Sequence, residues 1–316
     1  MKNFEITDIE VLPNTKELVM QQTEPWEDLL LGYYKVLKIS DDLWYMWYQA
    51  WENLKNTDYG SKLCFAYSTD GKNWIKKIPD GNFEDNIIVG RNSSLKQGWV
   101  EIDVFFDKND KKYPFRALYN KKTDVLQQTF MSKSKNGWEW VDEIKVFETY
   151  HDSQFSVKVL SNGNYLVLLR LWSGELYTSN RIIGSAIITP EGDIYNSPKE
   201  LLSSNIENFS HLYTSSAHFF SDDNFIMIPT VYSNNDKISI RTAYYLNGKA
   251  YLNKTDITDA LYQKQEIGWG NVCPGLISTG EENTYWMYYY GRVGTHNNVK
   301  NYTTYYYRIK VKTVKK

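Results

Sequence analysis

Three short runs set carboxyl groups beside aromatic or amide side chains: Trp26-Glu27-Asp28, Glu101-Ile102-Asp103 just after Trp99, and His151-Asp152-Ser153-Gln154. Two further runs, His211-Leu212-Tyr213-Thr214 and Trp269-Gly270-Asn271-Val272-Cys273, offer aromatic and polar groups without an acid. Acids drawn toward one point repel one another. At least one carboxyl pKa then rises, and a proton donor stands beside ionised neighbours. Cleavage of a glycosidic bond needs that pairing, one carboxylic acid for the leaving oxygen and one carboxylate to activate water or attack carbon. Glu27, Asp103 and Asp152 are therefore the candidate catalytic residues, with Asp152 as acid and Glu27 or Asp103 as base. Trp26 and Tyr213 would pack on sugar faces, while Glu101, His151, Gln154, Asn271 and His296 would bond hydroxyls.

The rest of the composition narrows the class. The chain has 316 residues, with 36 Lys and Arg against 38 Asp and Glu, a net charge of −2. A nucleic-acid binder normally shows a basic excess, so none is expected as partner. Aromatic residues make up 16% of the chain, a bias that favours half-buried strands. Cys64 and Cys273 are too few for a zinc site or a disulfide framework and read as buried free thiols. No metal or other cofactor is required by any motif. The first residues hold no apolar stretch and no window approaches a membrane span. The expectation is a cytoplasmic protein as the sequence stands, or a periplasmic or secreted one if a leader has been removed.

Five related segments must position these groups. Each leads from a polar stretch into a short strand, a turn, and a strongly aromatic second strand. Those second strands begin near residues 43, 115, 165, 225 and 285, spaced 72, 50, 60 and 60 apart. Short strands repeating about every 60 residues predict an all-β fold, a five-bladed β-propeller, with residues 1–316 as one domain. In the fourth segment the run 211–217 is expected to lead into the first strand, with the second strand over 225–229. Asp70-Gly71 and Asn136-Gly137 predict tight hairpins at the outer blade edges. Trp44, Trp47, Trp286 and Tyr289 are expected to pack between blades. Residues just before each first strand then converge on a central channel, the default ligand pocket of such a ring.

The chain resembles the five-bladed propeller glycoside hydrolases, the superfamily that includes families 32, 43, 62 and 130. More closely it resembles a bacterial group of glycosyl-hydrolase-like propellers. The resembling stretches are Trp26-Glu27 with Gly32-Tyr33-Tyr34, Ser68 to Trp74, His151 to Gln154, Leu212-Tyr213-Thr214, Pro274-Gly275-Leu276 and Gly294-Thr295-His296. The resemblance implies a carbohydrate-active site and a carbohydrate substrate or ligand, with no nucleic acid or membrane as partner. In family 43 the matching positions carry an Asp base in blade one, an Asp that tunes pKa in blade two and a Glu acid in blade three. This chain has Glu27, then Glu101 or Asp103, then Asp152, so the residue types are exchanged at both ends. A propeller sialidase would need an arginine cluster, whereas Arg116, Arg170 and Arg241 fall inside strands where structural roles are expected. Two rival readings are a non-catalytic carbohydrate-binding propeller and a scaffold that binds a protein. Carboxyls about 5 to 9.5 Å apart across an open pocket would favour hydrolysis. Carboxylates held in salt bridges would favour binding alone.

Overall fold

The computed structural model describes residues 5–53, 59–79, 84–91, 98–122, 127–149, 151–176, 178–203, 211–233, 237–262, 269–292 and 303–315. Its strands form five antiparallel sheets arranged as a five-bladed β-propeller. Blade one runs outward through Leu30–Ser40, Leu43–Asn53, Tyr59–Ser68 and Trp74–Ile75. Blade two comprises Val100–Phe106, Phe115–Lys122, Gln127–Ser134 and Trp140–Phe147. Blade three comprises Ser156–Val159, Tyr165–Trp172, Arg181–Ile188 and Ile194–Leu202. Blade five runs Trp269–Ser278, Thr284–Arg292 and Thr304–Lys315, and its outer edge is formed by Ile6–Val11 and Glu17–Gln21 from the other end of the chain, both paired with Thr304–Lys315.

Blade four departs from the expected pattern. The run 211–217 is split into His211–Leu212 and Ala217–Phe219, and the second strand into Asn224–Met227 and Thr230–Ser233. Pro229 lies in the second gap, where it has no N–H to give to a ladder. Lys237–Leu246 pairs with both halves of the broken second strand, and Lys249–Asp256 lies outside it.

Second strands face apolar neighbours on both sides, which explains their aromatic density. The buried side chains gather into five clusters, one at each blade interface. Trp44, Trp47, Trp286 and Tyr289 all join them. The Gly71 and Gly137 turns are not confined to the outer edge. Tyr288 Oη donates to the Gly71 carbonyl at 2.7 Å, and Trp47 Nε1 donates to the Gly137 carbonyl at 2.5 Å. Each turn therefore latches onto the second strand of the preceding blade.

The channel is closed at its waist by polar groups from all five blades. Gln154 Nε2 donates to the carbonyls of Tyr34 and Ile102, both at 2.8 Å. Ser215 Oγ donates to the Gln154 carbonyl at 3.0 Å, and Ser216 Oγ donates to the Val272 carbonyl. Cys273 Sγ completes the ring with a contact to the Tyr34 carbonyl at 3.2 Å. Gln154, expected to bind substrate, is 1% exposed and spends its amide on these carbonyls. It is a plug that divides the channel into two mouths.

Candidate functional site at the upper channel mouth

Glu101 and Asp152 meet where blades two and three begin. A bulge interrupts the pairing between Val100 and Asp103, and Glu101 takes a φ of 59°. A side chain other than glycine in that region costs about 1–3 kcal/mol and persists where the surroundings hold it. The bulge puts the two acids of this strand to different uses. Glu101 serves the upper mouth, whereas Asp103 lies beyond the waist.

The Glu101 carboxyl is almost fully buried. Asn120 Nδ2 donates to its Oε2 at 2.5 Å, and Asp152 is in hydrogen-bond contact with it. Burial, then the Asp152 charge, push the Glu101 carboxyl well above the usual range. Two carboxyls in contact cannot both ionise cheaply, so the pair holds one proton. Arg170 Nη1 donates to Asp152 Oδ2 at 2.8 Å, which favours the charge on Asp152 and the proton on Glu101. Asp152 remains 31% exposed, so the pair reaches solvent through it.

The walls come from the other blades. Arg170 is fixed by Nη2 to the Tyr213 carbonyl at 2.7 Å, and its guanidinium lies over the Tyr213 ring at 4.5 Å. Arg181 covers the same ring at 4.6 Å. From blade one, Tyr33 lies edge-on to Tyr290 at 6.4 Å, and its hydroxyl is pushed well above its usual range by burial and then by Tyr290. Asn271 is buried; its Nδ2 donates to Tyr290 Oη at 2.7 Å while its Oδ1 accepts from Thr230 Oγ1 at 2.5 Å. It positions Tyr290 and presents no polar atom of its own to a ligand.

Several sequence expectations need correction. Glu27 does not stand as a free base. It is wholly buried, with Oε1 accepting from Tyr48 Oη at 2.7 Å and Oε2 from Lys76 Nζ at 2.7 Å and Thr23 N at 2.9 Å. This carboxylate fastens the Pro25–Glu27 turn to blade one. Asp103 is ion-paired with Lys35 at 2.8 Å and accepts from Val157 N at 2.8 Å, out of reach of the upper mouth. His151 is a strut. Its Nδ1 bonds the Arg170 carbonyl at 2.9 Å, Nε2 bonds Thr149 Oγ1 at 3.1 Å, and burial pushes it down to about 4. Trp26 packs against the cluster between blades five and one, and its indole N–H has no partner among the described residues. His296 lies outside the described residues. Among the described residues no three His, Cys, Asp or Glu side chains gather to hold a metal, and no helix is long and apolar enough to cross a membrane.

Tyr33, Asn120, Arg170 and Arg181 belong to the site and were missed. Arg170 was expected to be structural because it sits inside a second strand. That strand runs antiparallel to its inner neighbour, so its last residues return to the mouth.

No family model matches the chain, and no curated protein matches its sequence. Solved structures share the fold over nearly the whole chain. An N-acetylgalactosamine deacetylase from F. plautii, in complex with blood group B trisaccharide, superposes with a TM-score of 0.67 at 10% identity, covering 96% of this chain and 95% of that one. An α-L-arabinofuranosidase from Podospora anserina, in complex with cellotriose, gives 0.61 at 10% identity, with 97% of each chain covered. A β-1,2-mannobiose phosphorylase from Listeria innocua gives 0.60 at 12% identity, covering 98% and 95%. At these identities the likeness establishes the propeller and nothing finer.

Proposed function

We propose that the protein is a glycoside-hydrolase-like propeller that cleaves a glycosidic bond in an oligosaccharide at the upper mouth. The observation that carries this is the Glu101–Asp152 pair, a buried carboxyl whose pKa is raised by burial, in contact with an acid that is ion-paired to Arg170. Glu101 would give its proton to the leaving oxygen as the glycosidic bond breaks, and Asp152 would take a proton from the attacking water. One water is consumed, and the net proton transfer is zero. This reverses the acid role first expected for Asp152. The carboxyls touch, closer than the roughly 5–9.5 Å kept by acid/base pairs in glycosidases. A sugar oxygen or water entering between them would replace their shared hydrogen bond. The carbohydrate complexes of similar fold support a sugar as ligand.

A second reading, carbohydrate binding without cleavage, is favoured by the Asp152–Arg170 ion pair. A panel of aryl and alkyl glycosides and oligosaccharides, run with Glu101→Gln and Asp152→Asn, separates the two. The expected result is turnover that each substitution cuts about a hundredfold. The Glu101→Gln loss should be smaller on nitrophenyl glycosides, whose leaving group needs little protonation. Turnover indifferent to both changes would discard this site. Absence of turnover, with glycan binding that survives both changes, would establish the binding reading.

A further inference from the structure

Below the Gln154 plug the five inner strands enclose a second chamber of about 380 Å³, open at the opposite face of the ring. Its walls include Lys35, Asp103, Lys158, His218, Phe219 and Gly275, with representatives from every blade. None of the upper-mouth groups lines it.

The chamber is cationic. Asp103 is the one carboxylate among its described lining residues, and it is consumed by Lys35 and by the Val157 N–H. Against it stand Lys35, Lys158 and, at the rim, exposed Lys108. Lys158 is held only loosely, its Nζ 3.7 Å from Asp222 Oδ1, while Asp222 also accepts from Ser161 N and Oγ at 3.0 and 2.7 Å. His218 Nδ1 accepts the Leu276 N–H at 3.0 Å, which leaves Nε2–H as the donor of a neutral ring. Burial, followed by the Lys35 and Lys158 charges, pushes this imidazole down to about 4.

The shape also suits a ligand. Gly275 has a φ of 93°, and a Cβ there would sit 3.8 Å from Lys35 Nζ. Its missing side chain leaves room next to a buried ammonium. Phe106, 50% exposed, and Phe219, with Lys158 Nζ 5.8 Å from its ring, supply apolar faces around the charges. Phe106 meets Phe115 edge-on at 5.4 Å, which fixes its ring at the edge of the concavity and leaves half of it open to a ligand.

We propose that this lower chamber is a second binding site, for a small ring-bearing molecule carrying a phosphate or carboxylate group. The anion sits among Lys35, Lys158 and His218, and the ring packs on Phe106 and Phe219. This site does not depend on the reaction at the upper mouth.

Calorimetric titration with phenyl phosphate, benzoate, inorganic phosphate and phenol tests it, with the His218 ring resonances followed by NMR. The expected result is saturable binding of phenyl phosphate or benzoate that shifts those resonances, the tighter of the two identifying the anionic group. Inorganic phosphate and phenol should bind at least about tenfold more weakly, because each lacks one half of the recognition. Lys158→Ala should weaken binding about tenfold, as loss of a charge-assisted contact does. Lys108→Ala, at an exposed position, should weaken it less while leaving the fold intact. Asp152→Asn should leave it unchanged. Failure of both ring-bearing anions to saturate overturns the proposal. So does binding indifferent to Lys158→Ala, or equal affinity for phosphate and phenyl phosphate. Binding abolished by Asp152→Asn would move the ligand to the upper mouth.

Discussion

Burial acts in opposite directions on two neighbours at the upper mouth. The Glu101 carboxyl lies above its ordinary 4.5 when folded, so the native state holds that proton more tightly than the unfolded chain does. Its contribution is full below 4.5 and is lost as pH climbs through the folded value. His151 moves from 6.5 to about 4, so its contribution is full above 6.5 and is lost as pH falls toward 4. A shift of that size is worth on the order of 3 kcal/mol. Glu101→Gln should flatten the alkaline side of a stability–pH profile, and His151→Gln the acid side, in melts between about pH 4 and pH 9. An unchanged alkaline slope in Glu101→Gln would show that the carboxyl is not held protonated. Glu27 is a different kind of acid, bonded by Tyr48, Thr23 and Lys76 rather than opposed by a second carboxyl. Glu27→Gln should cost about 3 kcal/mol in denaturant unfolding, as loss of one partner of a buried pair does. Turnover per folded molecule should be unchanged. Lost turnover at unchanged stability would return Glu27 to the chemistry.

The turn latches show how elements lock the blades. Trp47 and Tyr288 are each the fifth residue of their second strand, and each donates to a glycine carbonyl in the following blade. A Cβ on Gly137 would lie 2.8 Å from Trp47, and the backbone there has a φ of 95°. Gly137→Ala should therefore cost more than about 1 kcal/mol, and Trp47→Phe about 1 kcal/mol for the lost hydrogen bond. In a double-mutant cycle the two losses should be less than additive, since both break one latch. Full additivity would mean that the turn and the indole act separately. Asp70-Gly71 and Asn136-Gly137 were legible as turns, but not as latches, because the partner lies in another blade. The first and second strands of blades one, two, three and five were legible from aromatic runs and turn spacing, whereas the N-terminal strand that completes blade five was not, because its partner lies at the other end of the chain. Blade four was not, although Pro229 was a visible warning. At the site, Asp152 could be read from its position before a first strand and Glu101 from its place at the start of one. Glu101 and Asp103 stand two residues apart, a spacing that puts both on one face of a regular strand, and the bulge at Glu101 removes that equivalence. Glu27 had the right neighbours in sequence, yet nothing local revealed the Lys76 ammonium 49 positions away.

At the scale of the molecule, a ring of blades must be closed, and here the N-terminal strand closes it. Ile6–Val11 completes blade five by pairing with Thr304–Lys315. It also grips blade four. Thr242 and Thr255 hydroxyls donate to Asp8 at 2.6 and 2.7 Å, and Asn224 Nδ2 donates to the Ile6 carbonyl at 2.9 Å. Ile9 is buried in the cluster between those two blades, beside Ile240 and Val311. Part of this seam is therefore a short strand from the far end of the chain, whereas the cluster between blades two and three is built from those two blades alone. Ile9→Ala should cost about 2–4 kcal/mol, through the deleted methyl groups and the space they leave. The loss should be local, because a ring can open at its closing seam before its inner blades unfold. Native-state hydrogen exchange should show the amides of 304–315 and 237–246 losing protection. Those of 165–172 in blade three should keep it under conditions where the whole chain stays folded. Equal loss in blade three would mean that the five blades unfold as one unit and that the seam is no weaker than the rest of the ring.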